Sequence, residues 1–270
     1  MPPLVGRWTS VAGLRIFSRV AEPPEAMNVP PIVHIQGLAM SGRYLEPTAA
    51  RLASRFATHV PDLPGYGYSD KPRRPLNIPE LAEALAGYLD ATGVPRAVVL
   101  GNSTGALVAA EFACRYPERT ESAILVSPAG DRYNRPMLRG AVQLALDARH
   151  EPLGLILLAI PDYLRFGPVN YMRAFHCVTR YRTVERLSQI PVPFLTIVGS
   201  RDPLISKSRL ERILRSTAAM DLVRHRDAAH AINFSHPESL ARIVEAYLLG
   251  EPLHELAEID RITAQAANEQ

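Results

Sequence analysis

Apolar residues recur along this chain with two different periods. At residues 15–20 they alternate with polar ones, the spacing of a half-buried antiparallel strand. Short strand-like runs follow at 31–35 (PIVHI), 57–60, 97–100, 123–126, 193–198 and 221–224. Between them the spacing turns helical, at 44–54, at 79–91 with Leu81, Leu85 and Leu89 on one face, after Gly105 as far as Arg115, and at 237–249. Strands that alternate with helices predict an α/β fold, with a mostly parallel sheet covered by helices on both faces. We expect eight strands.

From about residue 130 to 189 this rhythm stops. No strand pattern occurs there, and the apolar spacing is helical at 137–149, 153–166 and 169–181. A crossover between parallel strands needs only one helix. An all-helical insertion therefore predicts a lid over the C-terminal edge of the sheet. The expected division is a core of residues 1–129 and 190–250, a lid of 130–189, and a tail of 251–270 that is polar after Leu256 and suits a surface helix or disorder.

Composition narrows the chemistry. The 270 residues are 47% hydrophobic, enough for one large core. A net charge of +3, spread along the chain, argues against nucleic acid as a partner. Cys114 and Cys177 form no CxxC pair, and no His/Asp/Glu cluster has ligand spacing, so neither a metal nor a cofactor is implied. Cys114 lies in an apolar helical run and is expected to be buried; a disulfide to Cys177 stays open. The apolar run at 153–160 is far short of the ~20 residues of a membrane span. With no leader pattern in MPPLVGRW, the expectation is a cytoplasmic protein. A homodimer is left open.

Gly101-Asn102-Ser103-Thr104-Gly105 fits G-x-S-x-G, and it stands between an apolar strand and a helix. A serine there turns sharply, its hydroxyl projects above the sheet edge, and the helix N-terminus favours developing negative charge. Serine needs a nearby base to be a nucleophile. The motif goes with a chain order of serine, acid, histidine. Asp202 follows the 193–198 strand and is the expected acid, although Pro203 also makes it a candidate helix cap. Asp131 is the second candidate. His230 lies in the loop between the last strand and the last helix and is the expected base. His34, within a buried strand, is expected to be a satisfied core group.

An oxyanion needs fixed N–H donors. Thr104, directly after the serine, should supply one, and Leu38, in the loop after residues 31–35, the other. Gly37 lets the backbone approach closely. Gly37 and Asn102, with Leu157 and Phe166 from the lid, are the expected substrate-binding residues.

The segments HIQGLAMSG (34–42), DLPGYGYS (62–69), GNSTG (101–105), VGSRDP (198–203) and AAHAINFSHPESL (228–240) together resemble the α/β-hydrolase superfamily, in its capped epoxide-hydrolase-like and carbon–carbon-hydrolase-like branch. The likeness runs from about Trp8 to Leu249. The family usually has His-Gly where this chain has Gln36-Gly37, which touches loop detail rather than catalysis. Ser103 argues against epoxide hydrolases and haloalkane dehalogenases, which use aspartate there. The residues after Ser103 also differ from the usual run in carbon–carbon hydrolases.

The resemblance implies acyl transfer through an acyl-enzyme. The leading expectation is hydrolysis of a small-to-medium apolar carboxylic ester. Carbon–carbon cleavage of a ring-cleavage dienoate, or acyl transfer from a thioester, would use the same machinery. A non-catalytic ligand-binding protein on this fold is the reading outside catalysis.

Overall fold

Period-2 burial builds a sheet whose two sides face different helices. The computed structural model describes residues 3–130, 132–206, 208, 211–212 and 220–261. Its strands are β1 (Val5–Val11), β2 (Leu14–Ala21), β3 (Ile32–Ile35), β4 (Thr58–Pro61), β5 (Ala97–Asn102), β6 (Thr120–Val126), β7 (Phe194–Gly199), β8 (Met220–His225) and β9 (Ile259–Arg261). They form one sheet in the order β1-β2-β4-β3-β5-β6-β7-β8-β9. The stretch from β4 to β8 is parallel, and β1, β2 and β9 add antiparallel edges.

Nine strands stand among the described residues, where eight were expected. The tail, expected as a helix or disorder, contributes β9, which pairs with β8 at Arg224↔Asp260. β1 escaped the pattern because five of its seven residues are exposed, as befits an outer strand.

In β5, Ala97 and Val99 face one helical layer while Val98 and Leu100 face the other. The first layer holds α2 (Ile78–Ala91) and α3 (Thr104–Arg115). The second holds α1 (Glu46–Leu52) and the C-terminal helix Pro237–Leu249. α2 begins at a capping box in which Asn77 and Glu80 each accept the other's backbone N–H.

Between β6 and β7 the described residues form four α-helices: α4 (Met137–Asp147), α5 (Leu153–Phe166), α6 (Pro168–Arg180) and α7 (Thr183–Leu187). Three were expected, and α7 is the short addition. After β8 the chain adds α8 (Ile232–Ser235) and α9 (Pro237–Leu249). Cys114 and Cys177 are both free thiols, and Cys114 is half-buried rather than buried. No described helix is long and apolar enough to cross a membrane.

Candidate active site

The turn at Ser103 is a backbone construction before it is a chemical one. Ser103 sits between β5 and α3 at φ 58°, ψ −117°, a conformation that L-residues seldom adopt and that costs of order 1–3 kcal/mol. Packing imposes it. A Cβ on Gly101 would lie 2.1 Å from the Gly105 carbonyl oxygen, and one on Gly105 would lie 2.1 Å from that of Ile35. Only glycine lets β5, α3 and β3 meet so closely. The Ser103 N–H donates to the Val126 carbonyl (2.9 Å), which pins the turn to the end of β6.

Asp202 and His230 meet beyond the ends of β7 and β8. His230 Nδ1 lies 2.9 Å from Asp202 Oδ2. The other carboxylate oxygen accepts the Leu204 N–H (2.8 Å), so Asp202 orders its own turn as well as facing the imidazole. Asp131, the second candidate acid, lies outside the described residues. The two loops are stitched by Ser200 N–H to His225 O (2.9 Å) and Arg201 N–H to Ala228 O (3.0 Å). Here too a glycine is required, since a Cβ on Gly199 would lie 2.3 Å from the Ala228 and Ala229 carbonyl oxygens.

The loop after β3 is tied from several sides. The Gly37 N–H donates to the Tyr44 hydroxyl (2.7 Å), which donates to Asn102 Oδ1 (2.9 Å). Asn102 Nδ2 in turn donates to the His230 carbonyl (3.1 Å). A single buried chain of hydrogen bonds thus joins the β3 loop, the serine turn and the histidine loop. From α5, Asp162 Oδ2 accepts both the N–H (2.8 Å) and the hydroxyl (2.6 Å) of Ser41. Gln36, oriented to satisfy both neighbours, donates to the Pro61 carbonyl (3.1 Å) and accepts from the Leu63 N–H (3.0 Å). The glutamine therefore organises this loop. Among the described residues, neither the Leu38 nor the Thr104 N–H donates to another protein group. Both residues border the cavity.

That cavity has a volume of about 270 Å³ and is bordered by Ser103, His230, Gly37 and Asn102. Leu38, Met40, Leu144, Leu155, Ile156, Phe175 and Val178 supply most of its apolar wall. Two expected substrate contacts lie elsewhere. Leu157 is 60% exposed on the outer side of α5. Phe166 is buried, but against Tyr66, with ring centroids 5.1 Å apart. Helical rotation explains Leu157: Leu155, Ile156, Ala159 and Tyr163 occupy the inner side of α5 and border the cavity. Phe166 shares that inner side but is the last residue of α5, past the residues that border the cavity.

Two acids absent from the sequence reading close the site. Asp147, the last residue of α4, accepts the His230 N–H at 3.0 Å. Glu151, four residues on, accepts the Ala231 N–H at 2.7 Å. An acid repeated at i and i+4 inside an apolar, arginine-rich insertion was the one available signal. Burial alone would lower the His230 pKa. The Asp202 charge and hydrogen bond, with Asp147 and Glu151, outweigh burial and push it up to about 9. Burial pushes Asp147 up to about 7 against the opposing pull of His230. Among the described residues, Ser103 Oγ makes no hydrogen bond to His230, although both border one cavity.

The other histidines have structural surroundings. His225 Nε2 pairs with Ser239 Oγ (2.9 Å), and its Nδ1 accepts the Ala228 N–H (3.1 Å). His59 Nδ1 pairs with the Tyr88 hydroxyl (2.9 Å). His34 corrects an expectation: it is buried, but neither ring nitrogen has a partner among the described residues. Burial lowers its pKa to about 3, so the ring is neutral.

Comparison with known proteins follows this geometry. The chain is 27% identical to the pimeloyl-(acyl-carrier protein) methyl ester esterase of Neisseria meningitidis serogroup B over 253 residues, covering 84% of this chain and 95% of that protein. It is 33% identical to an uncharacterised protein of Mycobacterium bovis over 129 residues, 48% of this chain and 36% of that one. The chain thus spans about a third of the length of this mycobacterial relative. In structure it is similar to a bacterial membrane phospholipase A, with a TM-score of 0.78 at 23% identity, over 92% of this chain and 86% of that one. Residues 32–243 match the model of the alpha/beta hydrolase family, from β3 through the loops after β7 and β8 into α9, and the chain belongs to that family.

Proposed function

We propose that the chain is a serine hydrolase of small-to-medium apolar carboxylic esters, with Ser103 as nucleophile, His230 as base and Asp202 as the acid that orients it. The carrying observation is the Asp202–His230 pair, whose imidazole borders the same apolar cavity as the strained Ser103 turn. Substrate binding tightens the Ser103–His230 contact, since catalytic hydrogen bonds are often long without ligand. His230 Nε2 takes the Ser103 proton as Oγ attacks the acyl carbon. The Leu38 and Thr104 amides receive the oxyanion, and Asp202 and the two further carboxylates stabilise the imidazolium. His230 then gives its proton to the leaving alkoxide. Water repeats the sequence on the acyl-enzyme, restoring the serine and releasing the acid.

The four inserted helices act as the lid of this cavity. Its apolar wall suits an aliphatic or aromatic acyl group. The methyl ester esterases among the relatives support ester cleavage.

The test is a panel of p-nitrophenyl esters, a thioester and a ring-cleavage dienoate, with mass analysis after a fluorophosphonate. Expected are ester turnover, an adduct on the Ser103 peptide, and a loss of about 10⁵- to 10⁶-fold in Ser103→Ala. Dienoate turnover far above ester turnover overturns the bond assignment. A folded protein with no adduct overturns catalysis.

A further inference from the structure

The outer side of the inserted helices is unlike the rest of the surface. Thirteen large hydrophobic residues are exposed among the described residues, and ten of them lie between Met137 and Met172. On α5, Leu153, Leu157, Ile160 and Leu164 recur at helical spacing and all point outward. α5 is 14 residues long, a helix of about 21 Å. Soluble monomers seldom leave a contiguous apolar patch of this kind uncovered.

The polar groups on this face carry one sign. From residue 136 to 173 the exposed residues are apolar, glycine or proline, apart from His150 and the arginines Arg139, Arg149, Arg165 and Arg173. The three acids of the segment turn inward. Asp147 and Asp162 are buried, and Glu151 is half-buried with its carboxylate engaged by the Ala231 N–H. Arg165 also reaches Asp162 at 3.9 Å and stacks over Tyr68. Its carbonyl receives the exposed Lys71 ammonium, which adds a further cation beside the patch.

We propose that this face docks on an anionic phospholipid bilayer, with α5 lying in the plane of the interface and the arginines meeting lipid phosphates. An apolar stripe rimmed by guanidinium groups is the composition of an interfacial helix. A protein partner would have to present acidic groups matched to these arginines, whereas lipid phosphates supply negative charge over the whole plane of a bilayer; apart from His150, the exposed polar side chains on this segment are all arginine. No described helix is long and apolar enough to span the bilayer, so the contact is one of lying on it. The inner side of α5 meanwhile walls the cavity through Leu155, Ile156 and Ala159, so a single helix would carry both contacts.

The experiment is flotation of the full chain with vesicles of phosphatidylcholine alone and of phosphatidylcholine with phosphatidylglycerol. Light scattering and far-UV circular dichroism accompany it. Expected is co-flotation with the anionic vesicles, at least tenfold weaker on phosphatidylcholine and weakened by salt. Leu157→Asp with Leu164→Asp should abolish it with unchanged circular dichroism. Arg165→Glu with Arg173→Glu should cost about fivefold or more per residue and remove the lipid preference. These readouts do not depend on catalysis. Failure to bind the anionic vesicles overturns the proposal. A stable dimer that the leucine variants dissociate, with no vesicle binding, assigns the face to a second copy of the chain. Retention on a poly-glutamate matrix without vesicle binding assigns it to an acidic protein.

Discussion

The serine turn and the inserted helices border the same cavity by opposite means. At the turn, three glycine contacts under 2.5 Å leave no room for any side chain, and the backbone is forced into one conformation. The insertion instead reaches the site with side-chain oxygens: Asp147 and Glu151 on the histidine loop, Asp162 on the β3 loop. Its remaining surface is free to be apolar. The rigid region is specified by what cannot fit, and the adaptable one by what it can hold. Substitutions should therefore act through packing at the turn and through charge and hydrogen bonding at the insertion.

Five outcomes would break or sharpen that contrast. Asp202→Asn should lower kcat of ester hydrolysis by about 10⁴-fold, because the amide cannot both orient the ring and stabilise the imidazolium. A loss below tenfold would shift the acid's role to another carboxylate. Gly105→Ala should destabilise the fold by about 3 kcal/mol or more in denaturant titration, since the new methyl would meet the Ile35 carbonyl. A near-neutral result would show that the turn yields. Tyr44→Phe leaves the Gly37 N–H without its buried acceptor and Asn102 without a donor. That should cost about 1–3 kcal/mol, read as stability or as lost kcat/KM.

The pH profile tests the insertion. The base must be neutral, so kcat/KM should rise with pH through the His230 ionisation, and the carboxylates around it raise that midpoint towards about 9. The groups facing His230 are Asp202 from the loop after β7 and Asp147 and Glu151 from the insertion; Tyr44 and Tyr163 also border the cavity. Asp147→Asn keeps an oxygen for the His230 N–H but removes a negative charge. The midpoint should fall by about one unit, making the variant relatively more active at lower pH. An unmoved midpoint would leave Asp147 a purely mechanical contact. Smallest of all, Leu157→Ser on the outer side of α5 should change stability by less than about 0.5 kcal/mol, seen in thermal melts.

Much of the scaffold and of the site was legible before any coordinates. The central strand segments lie where the apolar runs stand, and α5 spans Leu153–Phe166 as its spacing implies. The pairing of Asp202 with His230 was likewise readable, because strand ends place their following loops on one edge. Edge strands were less legible. β1 and β9 are held by pairing with a neighbour, and neither needs a distinctive apolar pattern of its own. The Leu157 expectation failed because periodicity locates an apolar stripe but not the direction in which its helix is rotated, and the Phe166 one because periodicity does not say how far along the helix the cavity reaches.

Local order in the chain determined the α/β alternation, the glycine-flanked serine turn and the helical character of the insertion, since each follows from side-chain period and backbone freedom within a few residues. Tertiary structure alone decided that Asp147 and Glu151 grip the histidine loop some eighty residues away, that Tyr44 links three loops, and which side of α5 meets solvent. Those relations depend on how separate elements are oriented against one another, and orientation is fixed by packing in three dimensions rather than by spacing along the chain.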